Sequence, residues 1–123
     1  MKYLCLAYEE EARLNALSAA EWEALRAETL AYVDSLREAG RLIATEPLRS
    51  SRTAATVRVR QGNVSVTDGP YAETKEQLGG FFLIEADDMN EALQIAARWP
   101  SARIGSIEVR PIEDGLPIER RYT

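Results

Sequence analysis

Asp68, Lys75 and the residues around them are the part of this chain whose types and spacing could do chemistry. They lie in Asp68-Gly69-Pro70-Tyr71-Ala72-Glu73-Thr74-Lys75-Glu76-Gln77-Leu78-Gly79-Gly80-Phe81, a turn running into a charged segment, two glycines and an apolar strand. A carboxylate anchored in a turn is preorganised, so Asp68 is the candidate general base and Lys75 the candidate partner for a developing oxyanion. Lys75 is equally suited to hold an anionic ligand, with Tyr71 on the wall and Glu73, Glu76 and Gln77 bordering the cleft. Tyr8, on the first apolar segment, could add a hydroxyl. Each residue also has a plainer reading. Asp before Gly-Pro caps turns through its own backbone, Lys75 with its flanking acids is a solvated charged turn, and Tyr8 is a packing residue. Gly79-Gly80 allows close approach of a neighbouring strand or of a ligand.

What the chain lacks narrows the chemistry. Among its 123 residues there is no histidine and one cysteine, so no Ser-His-Asp triad, Cys-His pair or zinc ligand set can be assembled. Neither a phosphate-cradling G-x-x-x-x-G-K-[ST] loop nor a G-x-G-x-x-G fingerprint occurs. The expectation is no cofactor and no metal, with acid/base work left to Asp, Glu, Lys, Tyr or the Cys5 thiol. A net charge of -5 offers no footprint for nucleic acid or an anionic membrane. Arg58 and Arg60 therefore read as a solvated face or a dimer rim. The first residues turn acidic at Glu9-Glu10-Glu11, too soon for a signal peptide, and no apolar run approaches the ~20 residues of a membrane span. The chain reads as cytoplasmic. With 46% hydrophobic and 28% charged residues, its composition is that of an ordinary globular domain.

The elements that must position these residues follow from pattern. Tyr3 to Tyr8 is apolar throughout, as in a strand buried on both faces. Ser18-Ala19-Ala20-Glu21 is a capping box, Leu17 and Trp22 are spaced as a hydrophobic staple, and Trp22, Leu25, Thr29, Tyr32, Val33 and Leu36 make one helical face that stops at Gly40. Leu42 to Thr45 is a short strand closed by Pro47. Thr56 to Arg60 and Val64 to Thr67 alternate around Gln61-Gly62-Asn63, a hairpin with one wet face. Phe81 to Ile84 is a second strand apolar on both faces. Asp88 to Glu91 caps a helix whose apolar face is Met89, Ala92, Leu93, Ala96 and Trp99, ended by Pro100. Ile107 to Arg110 is an edge strand blocked by Pro111. The order is βαβ, hairpin, βαβ, and in a split βαβ sheet the two doubly apolar strands take the centre. Two helices cover one face only. The other face calls for a second copy packed sheet to sheet, so a homodimer is expected. Residues 1–112 form the domain and 113–123 a charged C-terminal tail.

The segment from Asp68 to Phe82, with Ile84-Glu85-Ala86-Asp87-Asp88 and Gly105-Ser106-Ile107-Glu108-Val109-Arg110-Pro111, resembles the YCII-related family in its DGPF-domain branch. The similarity runs from the first strand to Pro111. It implies an α+β, ferredoxin-like βαββαβ fold with an extra hairpin, of the dimeric α/β-barrel kind. Relatives in the wider family use a His-Asp pair in a cleft for elimination or related small-molecule chemistry. Asp68 matches the branch's motif here, and the histidine has no counterpart. Some members occur beside or fused to alternative sigma factors, which implies a regulatory setting and a sigma-factor-related partner. Three functions thus remain open. One is a homodimeric module that binds a small polar or anionic ligand without covalent catalysis. Another is a cofactor-free isomerase or lyase with Asp68 as general base. A third, purely structural role would be docking of a protein partner.

Overall fold

Strand β1 (Lys2–Glu9) is the first element along the chain and a central strand of the main sheet, in a computed structural model that describes residues 1–115 and Tyr122. It is flanked by β5 (Gln77–Glu85) and β6 (Gly105–Pro111), both antiparallel, and β2 (Leu42–Pro47) joins the far side of β5. The four-stranded order is β2-β5-β1-β6. The two strands whose sequences are apolar on both faces are therefore the two central ones. This is the ferredoxin-like α+β arrangement, with one hairpin inserted before β5.

Helix α2 (Ala19–Glu38) and helix α3 (Met89–Ala97) lie on the same face of the sheet. By alternation Tyr3, Cys5, Phe82 and Ile84 point to that face and are buried with Val33, Leu36, Ile95 and Ala96. Phe82 stacks on Trp99 with ring centroids 4.0 Å apart. Burial pushes the Cys5 thiol up to about 12, so it carries no thiolate near neutrality and acts as a small core hydrophobe. Leu4, Leu6, Phe81 and Leu83 alternate to the opposite face and keep partial exposure.

The caps form as their sequences dictate. Ser18 Oγ accepts from the Glu21 amide at 3.1 Å, and Glu21 Oε1 accepts from the Ser18 amide at 2.9 Å. Asp88 Oδ1 accepts from the Glu91 amide at 2.8 Å. Within α3 the buried face is Ala92, Ile95 and Ala96, whereas Leu93 is half exposed. The strip read from the sequence was rotated by part of a turn, because the helix settles on Trp99 and the sheet through its smaller residues.

Three features differ from the sequence reading. A short helix α1 (Glu11–Asn15) follows β1 where the pattern shows only an acidic boundary. Among the described residues, strands β3 (Ala55–Arg60) and β4 (Asn63–Asp68) pair only with each other, around a Gln61-Gly62 turn in which both φ values are positive (53° and 78°). One wet face was expected of this hairpin, yet both are wet. Val57, Val59, Val64 and Val66 share one face, and their exposure runs from 56% for Val59 to 68% for Val64. The third concerns Trp22, expected on the packed face of α2 and found 48% exposed. Among the described residues, no helix is long and apolar enough to cross a membrane. Of the tail from 113 to 123, residues 116–121 and 123 lie outside the described residues.

Candidate functional site

Helix α2 covers the sheet with half its length. Val33 and Leu36 in its C-terminal half are buried, while Trp22, Leu25, Thr29 and Leu30 stand off the sheet and overhang a groove. The floor of that groove is the end of β1 (Ala7 and Glu9), the start of β5 (Gly79 and Gly80) and Ser101 from the turn after α3. The segment after β2, Leu48 to Ser50, closes the remaining side. The volume of this open groove is about 1190 Å³. The same amphipathic helix thus supplies core at one end and an apolar roof at the other.

Glu9 is the one acid on the groove's floor. Tyr3, Cys5, Ala7 and Glu9 share a parity along β1, so the strand that buries the first three also carries Glu9 to the helix side. Burial raises its pKa above the ordinary carboxyl range, Ser101 pulls it partway back, and the charge of Glu11 pushes it up again. Ser101 is 6% exposed, and its hydroxyl oxygen completes no hydrogen bond of normal geometry. It therefore sits against the Glu9 carboxyl without being aligned on it. Gly79 leaves the room for that carboxyl, since a Cβ at Gly79 would fall 2.6 Å from Glu9 Oε2. Gly80 serves the strand instead, with a would-be Cβ 3.0 Å from the Glu46 carbonyl oxygen across the β2–β5 pair.

Charged groups ring this floor. Glu11 is held by Ser51, whose amide (3.1 Å) and hydroxyl both donate to its carboxylate, which lowers its pKa. Arg26, Arg37, Arg49 and Arg52 line the groove, and among the described residues their guanidinium groups close no ion pair. Four carboxylates, Glu9, Glu11, Glu23 and Glu46, line the same groove, so the arginines are balanced in number and offer local cationic spots instead of a net positive field.

The residues singled out in the sequence fall elsewhere, and the structure brings only some of them together. Glu73, Lys75 and Gln77 border a shallower hollow of about 350 Å³ with Glu10, Glu11 and Arg52. This hollow adjoins the groove, because Glu11, Arg52 and Gln77 line both. Asp68 is exposed at the end of β4 and borders neither hollow. The expectation that its side chain caps the turn is not met, since among the described residues its carboxylate makes no hydrogen bond. The turn is held by backbone instead: the Gly69 amide donates to Ala54 O at 2.8 Å, the Thr56 hydroxyl donates to Gly69 O at 2.9 Å, and Gly69 has φ 112°. Tyr71 is 83% exposed with the Arg58 guanidinium 5.9 Å from its ring centre. Glu76 Oε1 accepts from the Ser106 hydroxyl at 2.8 Å. Tyr8 alternates to the face away from the groove. Among the described residues no group of three or more His, Cys, Asp or Glu is placed to hold a metal ion.

Glu9 was missed because it was read as part of the Glu9-Glu10-Glu11 run that bounds the first strand. The signal that could have found it is parity: an acid two residues beyond Ala7 continues the buried row.

Comparison with known proteins agrees with this architecture. The profile of the YCII-related domain matches residues 1–115. An uncharacterised protein of Rhizobium meliloti (strain 1021) is 40% identical over 114 residues, 91% of this chain and 92% of its own length. Among solved structures, a 5-chloro-2-hydroxyhydroquinone dehydrochlorinase of Burkholderia phenoliruptrix, in complex with 2,5-dihydroxybenzoquinone, superposes with a TM-score of 0.51 at 16% identity. That alignment covers 94% of this chain and 96% of the other, and it shows a shared fold. The extent of the profile match and the identity to the Rhizobium protein establish that this chain belongs to the YCII-related family.

Proposed function

We propose that this domain is a small-molecule-binding module whose ligand occupies the groove between α2 and the sheet. The observation that carries this reading is the groove itself, about 1190 Å³ roofed by the apolar side of α2 and edged by unpaired arginines. Sites for small ligands are commonly concave and mainly apolar, with few polar groups to fix orientation. An apolar body would lie under Trp22 and Leu25, and a polar or anionic end would reach Arg52 and Lys75 where the two hollows meet. Lys75 thus keeps the anion-binding role suggested by its sequence context. The alternative of a cofactor-free isomerase or lyase with Asp68 as base finds less support, because Asp68 borders neither hollow.

The module is proposed to act as a homodimer. Among the described residues two apolar surfaces are open to a partner: the partly exposed Leu4, Leu6, Phe81 and Leu83 face of the main sheet, and the exposed valine face of the hairpin. An isolated two-stranded hairpin is marginal in water, so β3 and β4 gain most from a partner to pack on. The sigma-factor-linked setting implied by the family resemblance would give ligand occupancy a partner to report to.

The test is a thermal-shift screen of the purified chain against small organic acids and planar oxygenated rings, including 2,5-dihydroxybenzoquinone, the compound named with the structural neighbour. A ligand present at 100 times its Kd should stabilise the fold by about 2.7 kcal/mol. The expected result is a concentration-dependent rise in Tm that Trp22→Ala abolishes. If no compound raises Tm, or the rise survives Trp22→Ala, the groove is not the ligand site.

A further inference from the structure

Taking the groove as a ligand site, as just proposed, its floor carries more information than its volume. Glu9 and Ser101 are the polar side chains at the point where β1, β5 and the turn after α3 converge, and the Ser101 hydroxyl is buried there without a hydrogen bond of normal geometry. The carboxyl beside it is half-buried, with Gly79 shaped around it. A buried hydroxyl without a partner destabilises the fold, and a desolvated carboxylate adds to that. A packed core offers no reason to keep such a pair, and an apolar residue at either position would be the more stable choice. A ligand that completes the hydrogen bonds does offer one.

We propose that Glu9, backed by Ser101, exchanges a proton with a weakly acidic hydroxyl on a planar, mainly apolar ligand seated in the groove. In this step the ligand O–H bond breaks, an O–H bond forms on the Glu9 carboxylate, and the electron pair stays on the ligand oxygen. The reverse step restores both partners. No other reactant is needed. Ligand class follows from the surroundings. Trp22 and Trp99 both line the groove, which suits a flat ring. A ligand already ionised would set a second negative charge against Glu9, and an ordinary alcohol would not release its proton. An enol or phenol lies between these limits, and an arginine of the lining within reach of its oxygen would stabilise the anion locally.

The charged groups that face Glu9 across the groove come from every element packed around it. They are Glu11 on α1, Glu23, Arg26 and Arg37 on α2, Glu46 on β2, and Arg49 and Arg52 on the segment after β2. Glu11 contributes to the upward shift of Glu9, and the Ser101 contact opposes it.

4-Nitrophenol is a suitable probe, because its protonation state is visible in its absorbance. The chain has two tryptophans and both line the groove, so their quenching reports occupancy. The pair shares one proton, so the expected affinity is bell-shaped in pH. The acid limb belongs to Glu9 and the alkaline limb to the probe. Glu9→Gln should weaken binding about tenfold between the limbs, the loss of one hydrogen bond to a charged group, and should erase the acid limb alone. Ser101→Ala should move the acid limb to higher pH, because it removes the contact that pulls the Glu9 pKa down. An unchanged profile in Glu9→Gln, or an acid limb unmoved in Ser101→Ala, overturns the proton-exchange proposal while the groove remains a binding site. Absence of quenching in the wild type at every pH overturns both.

Discussion

Glu9 is a residue whose position costs the fold something. Its native pKa is raised above the value it would have in the unfolded chain, so the folded protein holds the proton more tightly. The stability tied to that proton is complete below the ordinary carboxyl pKa and is lost as pH rises through the raised native value. At neutral pH the wild type therefore folds with a charge that burial penalises. Glu9→Gln keeps the shape and removes the charge, so it should raise Tm by a few degrees at neutral pH and by little under acid conditions. Thermal denaturation followed across pH checks this, and an equal gain at both ends would mean that charge is not the cause. A variant more stable than wild type but weaker in ligand binding is what a site residue held against the preference of the fold should give.

At the scale of elements, caps and turns speak most clearly. Ser18→Ala removes the side-chain half of the capping box on α2 and should lower stability by about 1 kcal/mol, read as a shift in denaturant midpoint at unchanged slope. That cap, the Asp88 cap, the Gln61-Gly62 turn and the two central strands were all legible in the sequence, because each is a local pattern with one physical solution. The groove was not. Trp22, Leu25 and Thr29 fit the same helical stripe as Val33 and Leu36, and periodicity does not say how far each half of a helix stands from the sheet. Asp68 drew the eye because its turn is rigid and its neighbours are charged. Its backbone does hold that turn, yet the carboxylate points its chemistry at neither hollow. Glu9 was hidden by the opposite circumstance, a buried position inside an acidic run. Short α1 was illegible for a related reason, since five residues are too few for a periodicity to show.

For the whole molecule, the uncovered sheet face and the valine face make assembly the property most open to measurement. A sheet-to-sheet dimer of the obligate kind should bury ~2,000 Å² or more. Leu83→Glu places a charge on the face away from the helices without touching the core, and it should convert the dimer to a monomer in light scattering while far-ultraviolet circular dichroism stays unchanged. A wild type that is monomeric at micromolar concentration removes the dimer from consideration.

The central place of β1 has a consequence for how the chain comes to be made. It is synthesised before both strands that flank it, since Tyr3 pairs with Ile84 on one side and Pro111 on the other. Neither neighbour exists until most of the chain has been synthesised. At ~5–20 residues per second, the apolar segment Tyr3 to Tyr8 waits for seconds with both edges and both faces unmet. Through that interval α2, with its own cap, can begin to form, while the strand it will cover cannot be placed. The segment Tyr3 to Tyr8 is thus a natural target for a holding chaperone, and the four-stranded sheet closes only when β6 emerges.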